Sequence, residues 1–339
     1  MSDPKEVILT ELYKAAPEPV SGERLAARLG ISRPAVWKHI QALREQGYAI
    51  RAVPHQGYIL TACPDRLLPA EIRRGLKTCR IGSAFYWYEE IASTNLVAMR
   101  LAAEEEAPDG TVVVAEHQTA GRGRRGRSWV ETPGSSILVS VIVRPSLPVV
   151  RAGQLMLLTG MAVARAIRQL TDLPAGVKWP NDILIGGKKV SGTLIELLGE
   201  AEQIKVAVLG IGINCNQSLD AFPPELRDHA TSLALELGRP VHRVRLLRAV
   251  LTHLDTLYDL YLRGDSETIL TGWRQLTVTL GRRVIVSLPG ELLEGEAEDI
   301  TDEGLLVVRL DDGTCRLVAA GDVSLRAAEG GTRPGKGKG

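Results

Sequence analysis

"AGRGRRGRSW", residues 120–129, threads Arg122, Arg124, Arg125 and Arg127 on Gly121, Gly123 and Gly126. Two readings compete for it. One is a disordered Arg-Gly segment that adheres to RNA; the other is an ordered loop that closes on an anion. The neighbours decide, because a β-rich run (Val112 to Ala115) precedes the stretch and another (Ile137 to Val143) follows it. A loop pinned between two strands has fixed ends. Its glycines permit positive φ and a close approach of backbone to ligand. Its guanidiniums can hold a phosphate or carboxylate through bidentate, charge-assisted bonds. Four like charges gathered together repel without an anion, so the loop is expected to be mobile when empty and ordered by its ligand. Alone, the pattern is weak.

The rest of the chain narrows the choice. Its 339 residues are enough for two or three domains, and 45% hydrophobic with 24% charged residues argues against wholesale disorder. A formal net charge of +1 excludes a nucleic-acid binder that is basic throughout, so any basic site is local. The start, MSDPKEVILTELYKAAPEP, lacks the basic-then-apolar layout of a signal peptide, and no uninterrupted apolar run is long enough for a membrane span. Cys63, Cys79, Cys215 and Cys315 form no CxxC pair, and the histidines show no metal-ligand spacing. Reduced thiols and a cytoplasmic location are the expectation.

Outward from the loop, Ser83 to Glu90 and Thr111 to His117 read as strands around an acidic helix from Thr94 to Glu106. Val149 to Leu170 reads as a long, largely buried helix, Ile204 to Ile213 as a strand, and Val241 to Leu262 as an amphipathic helix. "KWPNDILIGGKKVSGTLIE", 178–196, is a hairpin turning at Gly186-Gly187. Asn181 and Asp182 stand at the mouth of its first strand, and Lys189 begins the second. Gly192 leaves room for a ligand or another backbone. A surface hairpin with solvated lysines is the plainer reading; a site requires Lys189 to face the same cavity as the arginine loop. "GIGINCN", 210–216, adds a third glycine-rich strand end beside Asn214.

The first 62 residues read as helices followed by a hairpin. Ser21 caps a helix that Gly30 stops, and Ser32 caps a second from Arg33 to Gln46 with Pro34 in its first turn. Val36, Ile40 and Leu43 share one face, so Arg33, Lys38 and Gln41 can face outward, as a helix in a major groove requires. Residues 21–58 carry Arg24, Arg28, Arg33, Lys38, Arg44 and Arg51 against Glu23 and Glu45. A mildly basic protein-interaction module is the alternative. The hairpin around His55 could act as a wing. Residues 277–326 alternate strands with Pro289-Gly290, Asp302-Glu303-Gly304 and Asp311-Asp312-Gly313, which suits a small barrel.

Ser93-Thr94-Asn95, "EHQTAGRGRRGRSW", "KWPNDIL", "KKVSGTLIE" and "GIGIN", in that order and spacing, resemble the biotin–protein ligases. "SGERLAARLGISRPAVWKHIQALREQGY" and "GDVSLR" extend the resemblance over nearly the whole chain, to the bifunctional form that is also the biotin operon repressor. The resemblance implies an α+β chain: a winged helix-turn-helix (1–62), a mixed-sheet catalytic domain of the biotin/lipoate ligase kind (63–275) and a small SH3-like barrel (276–327); the tail (328–339) reads as disordered from its Gly- and Lys-rich composition. The resemblance also implies ATP and Mg²⁺ as cofactors, biotinyl-5′-adenylate as intermediate, and transfer of biotin to one lysine of a carboxylase carrier domain. It places Ser93, Thr94, Asn95 and Gln118 on biotin's ureido ring. Arg122, Gly123 and Arg124 lie over the carboxylate and the adenylate phosphate, with Lys189 at the same phosphoryl centre. Arg125, Trp129, Asn181, Asp182 and Asn214 fall on the nucleotide side, Asp182 as a possible Mg²⁺ contact. The adenylate would favour a homodimer that binds operator DNA through Arg33, Lys38 and Gln41. Leu96 and Ser128 depart from the family pattern and put only the fine shape of the pocket in doubt. A lipoate–protein ligase and a biotin-sensing regulator without ligase activity are the rival readings.

Overall fold

The computed structural model describes residues 3–104, 107–200, 202–319 and 321–325; the expected tail, 328–339, lies outside the described residues. The chain divides into two compact units, Met1–Arg66 and Leu67–Gly339.

The first unit runs α1 (Pro4–Ala15), α2 (Gly22–Leu29), α3 (Arg33–Glu45), β1 (Ala49–Val53) and β2 (Gly57–Ala62). Ser21 Oγ accepts from Arg24 N, and Gly30 ends α2 at φ 66°, the left-handed conformation that glycine adopts without a Cβ clash. Ser32 accepts from Ala35 N and so starts α3 after a three-residue turn. Leu25, Val36, Ile40 and Leu43 close on Ile8 and Leu12 of α1, all buried. The strands pair antiparallel through a turn at 54–56. At Gly57 an added Cβ would lie 2.0 Å from Val20 O, because Val20 and Tyr58 form a bridge there.

The second unit opens with α4 (Pro69–Arg73), β3 (Phe85–Ile91), α5 (Thr94–Ala103), β4 (Thr111–Gln118), β5 (Ser136–Val143) and β6 (Leu147–Pro148). There follow α6 (Ala152–Thr171), β7 (Gly176–Lys178), β8 (Asp182–Ile185), β9 (Lys188–Glu200), β10 (Gln203–Asn214), α7 (Leu233–Leu237), α8 (Arg243–Arg263) and α9 (Ser266–Arg274). The sheet has the order β3-β4-β5-β10-β9-β8-β7, with β6 paired to β10. Strands β3 and β4 pair in parallel, as the α5 crossover between them requires, while the other strand pairs of this sheet are antiparallel. Alternation along β4 sends Val112 and Val114 into the core shared with α6 and α8, and Val113 into the core under α5. Strand β5 is buried at every position, which explains its unbroken apolar reading.

The chain ends in β11 (Arg283–Leu288), β12 (Glu291–Ile300), β13 (Leu306–Arg309), β14 (Cys315–Val318) and β15 (Asp322–Leu325), an antiparallel sheet ordered β14-β13-β12-β11-β15. Val284, Val286, Leu306 and Val308 belong to the same apolar core as α6 and α8. Trp179 donates its indole N–H to Gly304 O at 3.1 Å. A Cβ on Gly153 would lie 2.2 Å from Glu303 O. The C-terminal sheet thus belongs to the same compact unit as α6 and α8. No helix among the described residues is long and apolar enough to cross a membrane.

Candidate functional site

A cavity of about 290 Å³ opens where β4, β5, β9 and β10 meet the start of α5 and the arginine loop. At one part of its wall Ser93 is extended and Thr94 and Asn95 begin α5, all three buried. Thr94 donates its N–H and its hydroxyl to Gln118 Oε1, at 2.7 and 3.0 Å. Ser140 Oγ, from β5, lies 2.8 Å from Thr94 Oγ1 and 2.6 Å from Asn95 Oδ1. Asn95 Nδ2 donates to Glu196 Oε2 at 2.8 Å. Oxygen acceptors outnumber hydroxyl protons in this cluster, which suits a ligand that brings N–H groups. Gly210 is obligatory beside it: an added Cβ would sit 2.2 Å from Asn95 Oδ1.

Cations line the rest. The loop is a narrow hairpin, with Trp129 N–H donating to Gly121 O at 2.9 Å and Gly123 N–H to Arg127 O at 2.7 Å. Its tip turns through Arg125 and Gly126, both at positive φ. Arg124 Nη1 donates to Asn181 Oδ1 at 3.0 Å, and Asn181 Nδ2 to Thr193 O at 2.8 Å. Burial is the largest influence on Arg124 and pulls its pKa below the usual arginine value; Asp322 and Asp182 oppose this, while Arg125 and Arg127 reinforce it. An anion at Arg124 would relieve that destabilised charge. Lys189 Nζ lies 2.5 Å from Asp182 Oδ1, and Lys178 reaches the other carboxylate oxygen at 3.7 Å.

Trp129 lies flat on a glycine shelf. Gly192 and Gly212 are cross-strand partners on β9 and β10, and Cβ atoms added to them would lie 3.2 and 2.6 Å from the indole. Lys189 Nζ stands 5.7 Å from the ring centroid. Asn214 spends its amide on the segment that follows, donating to Thr231 O and accepting from Gln217 Nε2, both at 3.1 Å.

Of the expected site residues, Ser93, Thr94, Asn95, Gln118, Arg122, Gly123, Arg124, Trp129, Asn181, Asp182, Lys189 and Asn214 all line this one cavity. Arg125 does not: it pairs with Asp322 at 3.4 Å and donates to Ser287 O at 3.2 Å, on the C-terminal sheet. Arg127 also pairs with Asp322, and Arg122 with Glu196 at 3.5 Å. The charges of Arg122, Arg125 and Arg127 are therefore met by carboxylates of the chain itself. Ser140 lies outside the motifs that carry the resemblance; Glu196 and Asp322 fall inside two of them, "KKVSGTLIE" and "GDVSLR", but were given no role. Glu196 stands as a lone charge within an apolar strand, which was a usable signal; Asp322, within "GDVSLR", is joined to the arginine loop only by the fold.

In the first unit Arg33 and Lys38 are exposed on α3, and Gln41 is half-buried. With its amide turned to suit its neighbours, Gln41 accepts from Arg44 Nη1 at 2.9 Å and Trp37 Nε1 at 3.1 Å. Trp37, 52% exposed, sits on the same helix and was not anticipated. Arg24 and Arg28 are tied to Glu11 of α1, at 3.2 and 3.9 Å, so less of the local basic charge is free than the segment alone implies.

Comparison with known proteins agrees with this geometry. Residues 87–214 match the model of the biotin/lipoate A/B protein ligase family, 5–59 an HTH domain, and 279–326 the biotin protein ligase C-terminal domain. A bifunctional ligase/repressor from Bacillus spizizenii is 39% identical over 318 residues, 94% of this chain and 97% of the relative. The biotin–[acetyl-CoA-carboxylase] ligase of Mycobacterium tuberculosis is 37% identical over 270 residues, 76% and 97% of the two chains. The Aquifex aeolicus biotin protein ligase, solved in complex with biotin and ATP, superposes with a TM-score of 0.59 at 29% identity, over 73% of this chain and 100% of that one. The chain belongs to the biotin/lipoate A/B protein ligase family, among its bifunctional ligase/repressor members.

Proposed function

We propose that this chain joins biotin to ATP and then to a lysine of a carboxylase carrier domain, and that its N-terminal unit represses a biotin operon. One observation carries the ligase reading: the acceptor-rich cluster of Thr94, Asn95 and Gln118 lines the same cavity as Arg124 and Lys189. The cluster would hold the ureido ring. A biotin carboxylate oxygen then attacks the α-phosphorus of ATP, the bond to the β-phosphate breaks, and pyrophosphate leaves. Attack brings two anions together; Arg122 and Arg124 over the carboxylate, with Lys189 at the phosphoryl centre, offset the repulsion and stabilise the growing charge. The Gly123 backbone lets the loop come close. Trp129 on its glycine shelf would pack the adenosine, beside Asn181, Asp182 and Asn214. The loop shields the mixed anhydride from water until the lysine amine attacks its acyl carbon and releases AMP.

Among the described residues no group of three or more His, Cys, Asp or Glu could hold a metal. Mg²⁺ would arrive with ATP, keeping its waters and taking one or two carboxylates besides the phosphates. Asp182 and Asp322 are the carboxylates that line the cavity; Asp182 would be the metal's contact, and the metal would supply charge neutralisation on the phosphates. The adenylate would act as corepressor, favouring a homodimer that reads a two-fold operator through Arg33, Lys38 and Gln41. The proposed setting is the cytoplasm, where carboxylase and operator both are. Acid-dependent exchange of pyrophosphate into ATP tests the ligase reading. Exchange with biotin and none with lipoate is expected; the reverse selectivity makes the chain a lipoate ligase, and no exchange with either leaves a sensor.

A further inference from the structure

Glu131 lies two residues beyond Trp129, where the chain leaves the arginine loop, and its side chain is 1% exposed. Its Oε1 accepts from His117 Nδ1 at 2.5 Å and from Gln118 N–H at 3.1 Å. Its Oε2 is buried with no hydrogen-bond partner. An idle buried oxygen is costly, and the two bonds to Oε1 are what hold this carboxylate in place against that cost. His117 is the residue before Gln118 at the end of β4, and its Nε2 lies 4.0 Å from Glu90 of β3. A carboxylate only accepts, so the ring nitrogen facing Glu131 carries the proton.

These bonds form one line through the molecule. Glu131 fixes the Gln118 backbone, the Gln118 amide oxygen holds Thr94, and Ser140 joins Thr94 to Asn95. We propose that Glu131 and His117 are positioning residues that tie the exit of the arginine loop to the ureido end of the cavity, so that the loop's seating and the biotin contacts are set together. The inference rests on the biotin reading of that end. Neither residue touches the cavity; both act through Gln118.

Calorimetric titration of biotin into the full chain, without ATP, tests it. Glu131→Ala is expected to weaken binding by about tenfold or more, the size of one lost bond to a charged acceptor. Glu131→Gln keeps an acceptor at the same place and is expected to recover most of the affinity. In steady state Glu131→Ala is expected to raise KM for biotin and, because the loop also carries Arg124, to lower kcat as well, with both effects largely reversed in Glu131→Gln. Wild-type affinity in Glu131→Ala overturns the proposal, as does an equal loss in both variants. If Glu131→Ala does not fold, His117→Ala removes one anchor and is expected to weaken biotin about fivefold; an unchanged affinity there overturns the proposal equally. Failure of the parent chain itself to bind biotin would instead overturn the ligase reading.

Discussion

Arg124 and Lys189 carry different loads. Arg124 is half-buried, its charge made unfavourable by burial and only partly offset by Asp322 and Asp182. Its guanidinium is therefore ready for an anion, and its worth lies in holding one. Arg124→Gly is expected to speed release of biotinyl-adenylate about tenfold or more, as loss of a charge-assisted bond implies. A pulse-chase measurement of adenylate dissociation checks this, and an unchanged rate counts against the clamp. Lys189, ion-paired to Asp182 at 2.5 Å, is held at a fixed point rather than swinging free. Lys189→Ala is expected to lower kcat for adenylation by about a hundredfold with a small change in KM for biotin, the pattern of a group that acts in the transition state. A raised KM at constant kcat, read from pyrophosphate exchange, would make it a binding residue only.

Among the elements, the glycine pair on β9 and β10 matters more than its plain sequence implies. Gly192 and Gly212 face each other in register, and together they give the Trp129 ring a flat bed. Gly212→Ala puts a methyl 2.6 Å from the indole and must lift it. The expected result is a rise of about tenfold or more in KM for ATP, since small misplacements at a reacting site cost heavily. Stopped-flow Trp fluorescence and steady-state kinetics together would show it, and unchanged KM with a displaced ring would remove Trp129 from the nucleotide's surroundings. The elements legible from sequence were those with strong local signals: the capped α2 and α3, the Gly-Gly hairpin between β8 and β9, and the apolar β5. Short pieces stabilised by tertiary contacts were not. Strand β7 spans three residues paired to β8, and α4 and α7 are single turns. The site was legible to the extent that its residues fall in compact motifs. Ser140 reads as one polar residue in an apolar strand, and Asp322 is joined to the loop only by the fold.

At the scale of the whole chain, the two units bear separate parts of the account. Every residue lining the cavity lies beyond residue 66, in the second unit. The exposed Arg33 and Lys38 belong to the first. Lys38→Ala is expected to weaken operator binding and flatten its salt dependence, as loss of one phosphate contact does, while leaving biotin transfer intact. Gel shifts across a salt series, run beside a ligation assay, check both halves. Equal operator affinity with and without biotin plus ATP would remove the corepressor role and leave the ligase untouched.

Transfer of biotin is a covalent event, and mass spectrometry of a carrier domain reads it without intermediaries. The purified domain is incubated with this protein, biotin, ATP and Mg²⁺. One added biotin on one lysine is expected, and none when ATP is omitted. An unmodified carrier, with biotin still bound tightly by the protein, would contradict the ligase reading and leave a sensor whose arginine loop has no phosphate to hold.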